Sequence, residues 1–151
     1  MNIVIVGNTS GIFRKKNNDL ISGLNDMGYE CTCIFREPRD ERNIMADIRA
    51  ASPDLLITEN LEGFEMCTLT DAVSYNLIHC RQLHFLFSDK LSNEKYLAKQ
   101  LSLVMTFVCR DAGLTETLKD RYPDLPEVVS LGDDYPEDEP IDRVMSVVQK
   151  L

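Results

Sequence analysis

The sequence predicts an α/β domain in three layers, a six-stranded and mainly parallel sheet with helices on both faces. Short all-apolar runs such as Ile3–Val6 and Leu55–Ile57 recur along the chain, as expected of strands covered on both faces. Between these runs the apolar residues move to the three-and-four spacing of a helix face. No linker, repeat or low-complexity tract interrupts the alternation, and 151 residues suit one domain, 1–151, with a sizeable core.

Each element has its own signal. The first strand is NIVIVG, residues 2–7. After a polar loop, Leu20, Ile21, Leu24 and Met27 share a helical face, with Asn17 or Asn18 at the N-cap and Gly28 at the C-terminal glycine position. Residues 29–35 form the second strand. Residues 41–51 carry an apolar stripe of Ile44, Met45, Ile48 and Ala51, halted by Ser52-Pro53. Strands over 54–60, 81–89, 103–111 and 127–134 then alternate with helices over 70–79, 93–102 and 112–123. Pro140 opens a last helix whose Ile141, Val144, Met145, Val148 and Leu151 form one stripe. This is the Rossmann-like pattern.

Bulk composition excludes several classes. The net charge is −9, from 16 basic and 25 acidic side chains, which argues against a nucleic-acid partner because phosphate binding relies on Lys and Arg. No apolar stretch reaches the ~18 residues of a membrane span. The opening MNIVIV is already a strand and lacks the basic region of a secretory signal. The five cysteines are odd in number and sit mostly in apolar runs, so free thiols in a reducing cytoplasm are expected. Cys31 and Cys33 share a strand face without forming Cys-x-x-Cys, and His79 and His84 flank Cys80. A four-ligand zinc spacing is absent; no metal and no cofactor are expected.

In a doubly wound sheet, ligands bind beyond the carboxyl ends of the strands. That rule nominates Gly7, Asn8, Thr9, Ser10 and Gly11 after the first strand, then Glu59 and Asn60, Ser88 and Asp89, Arg110 and Asp111, and 132–134. Gly7 permits a tight turn, and Gly11 lets backbone N–H groups approach a phosphate. The spacing is similar to the glycine loop of short-chain dehydrogenases, but Phe13 stands where the third glycine belongs. Glu37 could hold a ribose, yet Lys99 lies three residues after Tyr96 rather than four, so the tyrosine–lysine pair is missing. Arg14, Lys15 and Lys16 form a basic cluster, read as a solvated loop or an anion contact. The acidic 132–140 stretch lacks the register of a calcium loop. Esterase-elbow, zincin and P-loop signatures are absent.

Residues 54–134 carry a family resemblance. SPDLLITENLEGF resembles the third-strand segment of GT-B glycosyltransferases, and LSLVMTFVCRDAGLTETLKDRYPDLPEVVSLGDD is similar to the later part of their N-terminal domain. Leu131-Gly132-Asp133-Asp134 stands at their N-G-hydrophobic-D motif, with leucine in place of the asparagine. The resemblance implies the acceptor-binding half, with Gly11, Glu59, Asn60, Ser88 and Asp89 facing a cleft. It also implies that a partner chain supplies the donor domain, so the chain alone lacks transferase activity. Three readings stay open: this acceptor-side or accessory protein, a free-standing nucleotide- or small-molecule-binding module using Gly7–Gly11, and an interaction scaffold that has lost its site. A partner chain or a homo-oligomer, and a nucleotide or sugar ligand, are the partners these readings allow.

Overall fold

The computed structural model describes residues 1–37, 44–59, 80–86, 105–109, 112–121 and 128–130, together with Val144 and Val148. Strands β1 (Asn2–Asn8), β2 (Glu30–Arg36), β3 (Leu55–Glu59), β4 (Arg81–Leu86), β5 (Met105–Cys109) and β6 (Val128–Ser130) pair in the order β2-β1-β3-β4-β5-β6. Each of these pairings is parallel. Helices α1 (Ile12–Lys15), α2 (Asn17–Asp26), α3 (Ile44–Ala51) and α4 (Ala112–Arg121) intervene. The described part is therefore an α/β parallel sheet, as the alternating pattern requires. Strand order reverses between β1 and β3, since β1 has β2 on one side and β3 on the other.

Register explains how the core assembles. Ile3 and Ile5 lie beside Leu55 and Ile57, and Ile57 lies beside Leu83. With a side-chain period of two, these residues share one sheet face. They form a single buried cluster with Phe85, Phe13 of α1, Leu20 and Leu24 of α2, and Val144 and Val148. The Phe13 and Phe85 rings meet edge to face, centroids 5.9 Å apart, a favoured aromatic geometry. Val144 and Val148, four residues apart and both helical, join the same cluster. Every residue of β3 is buried, which accounts for its continuous apolar reading.

Local chemistry sets the helix ends, in one case otherwise than expected. The chain leaves α2 in a Schellman turn: Tyr29 N–H donates to Leu24 O at 3.1 Å, Gly28 N–H to Asn25 O at 2.8 Å, and Gly28 has φ +87°. That left-handed conformation is why a glycine stands there. The N-cap of α2 is Lys16, and no side chain caps it. Asn17, expected as a cap, accepts instead from the Cys33 thiol at 3.3 Å. The polar loop expected after β1 contains α1, a single turn that carries Phe13 into the core. The helices expected over 70–79 and 93–102 and the acidic stretch over 132–140 lie outside the described residues. Among the described residues no helix is long and apolar enough to cross a membrane.

Ile57 sits fully buried at the centre of the cluster. Ile57→Ala is expected to lower unfolding stability by about 2–5 kcal/mol in urea titration, through lost transfer energy plus a cavity. A cost well under about 1 kcal/mol would place the core elsewhere.

Candidate functional site

The carboxyl ends of β1 and β3 meet at the reversal of strand order, and the loop after β1 is built there by its own side chains. Asn8 Oδ1 accepts from both the backbone N–H and the hydroxyl of Ser10, each at 3.0 Å. Gly11 N–H donates to Asn8 O at 3.1 Å, closing a turn, and Thr9 N–H donates to Arg36 O at 3.0 Å. The chain then enters α1. There the Glu59 carboxylate receives Ile12 N–H on Oε1 at 2.8 Å and Phe13 N–H on Oε2 at 3.0 Å. Each backbone N–H from Thr9 to Phe13 thus has an acceptor within the chain.

Glu59 closes β3 and is only 2 % exposed. Burying a carboxylate is costly unless hydrogen bonds replace its water. Two backbone donors at the start of a helical turn supply charge-assisted bonds, which are shorter and stronger than neutral ones. The same carboxylate dictates both glycines. A Cβ on Gly11 would lie 2.7 Å from both Cδ and Oε2 of Glu59, and one on Gly7 would lie 3.1 Å from Oε2. The loop therefore has the form of an anion cradle, and its anion is the protein's own side chain.

Of the residues nominated from strand ends, Asn8, Thr9, Ser10, Gly11 and Glu59 are brought together. Glu59 and Gly11 lie against each other, while Thr9 and Ser10 are exposed. Asn60, Ser88, Asp89, Arg110, Asp111 and 132–134 lie outside the described residues. In the basic cluster, Arg14 and Lys15 are exposed, and the Arg14 guanidinium stands 5.8 Å from the centroid of the Phe35 ring. Among the described residues no group of three His, Cys, Asp or Glu could hold a metal ion.

A second polar group lies on the other face of the sheet, within β3 and β4. Thr58, Gln82 and His84 are fully buried. His84 Nδ1 lies 2.7 Å from Thr58 Oγ1 and Nε2 lies 3.1 Å from Gln82 Oε1. As the amide is placed, its oxygen can only accept, so the ring proton sits on Nε2 and Nδ1 accepts from the Thr58 hydroxyl. Gln82 Nε2 is buried with no hydrogen-bond partner among the described residues. Burial pushes the His84 pKa down to about 3, because an imidazolium would lose its hydration there. His84 is a satisfied core histidine rather than an acid–base group at an opening.

Cys31, Cys33 and Cys80 are free thiols. Desolvation raises Cys31, and it raises Cys33 and Cys80 to about 11, assisted by the charges of Cys31 and Asp54 respectively. Such thiols carry little thiolate near neutrality and make poor nucleophiles or metal ligands.

Comparison of the chain with protein-family profiles, curated proteins and solved structures gives no match.

Two predictions arise from this geometry. Gly11→Ala is expected to cost about 1–3 kcal/mol through overpacking, and Glu59→Ala about 1–3 kcal/mol for each N–H it orphans. Once the carboxylate is gone the added methyl has room, so in urea titration the double variant should be less destabilised than the sum by about 1 kcal/mol or more. Strict additivity would separate Gly11 from Glu59. The second concerns pH. Since the His84 pKa is lowered in the fold to about 3, its contribution is intact above the unfolded value near 6.5. It is lost as pH falls from there toward 3, by about 1.4 kcal/mol per pH unit. His84→Gln should flatten the stability profile by that slope between about pH 6 and 4; an unchanged slope would assign the acid sensitivity to other groups.

Proposed function

We propose that this chain is a Rossmann-like, acceptor-side or accessory domain related to GT-B glycosyltransferases, with no transferase activity of its own and no nucleotide site in its first loop. The observation that supports this is the Glu59 carboxylate held by Ile12 and Phe13 N–H. A nucleotide module working through Gly7–Gly11 needs those amides for phosphate, and a second anion there would meet a buried negative charge. An acceptor-side domain has no such need, because the nucleotide sugar belongs to the partner chain's domain. The candidate contacts to a sugar are then Thr9 and Ser10, together with Asn60, Ser88 and Asp89.

The three-layer arrangement belongs to the same proposal. Leu20 and Leu24 of α2 join the core cluster, whereas the buried Ile44 and Ile48 of α3 stand outside it. The crossovers from β1 to β2 and from β2 to β3 run in opposite directions along the sheet, and right-handed connections then put their helices on opposite faces. A cytoplasmic location is supported by the free thiols.

The test is thermal stability of the purified chain with nucleotides, dinucleotides, nucleotide sugars and unactivated saccharides. Nucleotides and nucleotide sugars are expected to be silent. A saccharide acceptor at ~100 times its dissociation constant should add about 2.7 kcal/mol of stability. A nucleotide response abolished by Gly11→Ala would overturn the reading in favour of the nucleotide module.

A further inference from the structure

The carboxyl ends of β1 and β2 carry an exposed polar rim whose charge runs against that of the chain. Thr9, Ser10, Arg14 and Lys15 are exposed, and so is Glu37 directly after β2. In a chain of net charge −9, Arg14, Lys15 and Lys16 are three consecutive cations. Two contacts gather this rim at one place. Thr9 N–H donates to Arg36 O at 3.0 Å, and the Arg14 guanidinium stands 5.8 Å from the centroid of the adjacent Phe35 ring. The negative face of an aromatic ring attracts a guanidinium, so Arg14 is partly held in place while the residue stays exposed.

The donors and acceptors of the rim define what it can take. The Ser10 hydroxyl gives its proton to Asn8 Oδ1 at 3.0 Å, so its oxygen offers a ligand lone pairs and no proton. Arg14 offers only donors, in a planar fork that matches a carboxylate. A fitting ligand therefore brings a hydroxyl proton for Ser10 and an oxyanion for Arg14, and a sugar acid brings both. The phosphates of a nucleotide bring no proton for Ser10. Their several charges would also meet exposed Glu37 and the Glu59 carboxylate that holds the same turn, so one negative charge suits the rim better than many. We propose that the rim is the acid-recognising subsite of a saccharide acceptor: sugar hydroxyls bond to Thr9 and Ser10, and a single carboxylate on the sugar, as in a uronic acid, pairs with the Arg14 fork. Lys15 adds positive charge beside it. The inference rests on the acceptor-side reading and names its substrate class. An exposed ion pair contributes modestly; it selects among saccharides already held by their hydroxyls and does not hold an anion alone.

The test is an amide-resolved NMR titration of the full chain at constant ionic strength. The probes are two matched pairs, glucose with glucuronic acid and galactose with galacturonic acid, and glucose 6-phosphate. The acid of a pair should bind about fivefold more tightly than its neutral parent and should shift the Thr9, Ser10 and Arg14 amides. Arg14→Gln should bring the acid down to the affinity of the neutral sugar and leave the neutral sugar unchanged. Arg14→Lys should keep part of the preference, since it retains the charge and loses the fork. Arg14 is exposed, so both variants keep the fold. Equal affinity for acid and parent, a preference that survives Arg14→Gln, or tighter binding of glucose 6-phosphate than of glucuronic acid overturns the inference. In each of those outcomes, sugar-dependent shifts at Thr9 and Ser10 leave the acceptor-side reading standing. No response at Thr9 and Ser10 to any of these sugars overturns both.

Discussion

The contact on which the rest of this molecule depends is the bond of the Glu59 carboxylate to the amides of Ile12 and Phe13. It ties the end of β3 to the loop leaving β1, across the place where strand order reverses. Phe13 is seated by it: the residue whose N–H is held by Oε2 sends its ring into the core against Phe85. Both glycines of the loop follow from the space the carboxylate occupies. Low dielectric strengthens these bonds, and the same low dielectric makes either partner expensive to leave alone. A buried acid, two glycines and one helical turn are therefore a single unit.

The two sheet faces carry different chemistry. One is apolar from Ile3 to Phe85 and receives α1, α2 and the valines of the C-terminal segment. The other holds the Thr58–His84–Gln82 chain at its centre. Apolar packing tolerates exchanges of similar volume, but a histidine bonded at both ring nitrogens tolerates little. The polar face thus restricts how β3 and β4 can pair, since a slip of one residue would send His84 to the opposite face.

Function is constrained by what these interactions consume. A glycine loop whose amides are satisfied within the chain offers a phosphate no ready donors, and Cys31, Cys33 and Cys80, with raised pKa values, make poor nucleophiles. Among the described residues, the rim at Thr9 and Ser10 and the Arg14–Lys15 turn beside Phe35 are exposed.

Much of the fold was legible because it is written in local pattern. Continuous apolar runs mark β1 and β3, a three-and-four stripe marks α2, and Gly28 stands at the left-handed position that ends it. Strand ends were legible too, which is why Glu59 and Gly11 were both nominated. What those two residues do was not, because nothing local distinguishes a glutamate that awaits a ligand from one that serves its own chain. That distinction is made by a contact spanning 46 and 47 residues of sequence, and it exists only after parallel pairing has brought β3 beside β1. The one-turn helix at Ile12–Lys15 escaped notice for the same reason: four residues have no periodicity to read, and a side chain from another strand starts the turn. Elements follow from the spacing of apolar residues along the chain; the partner of a buried charge follows from strand order, which spacing does not encode.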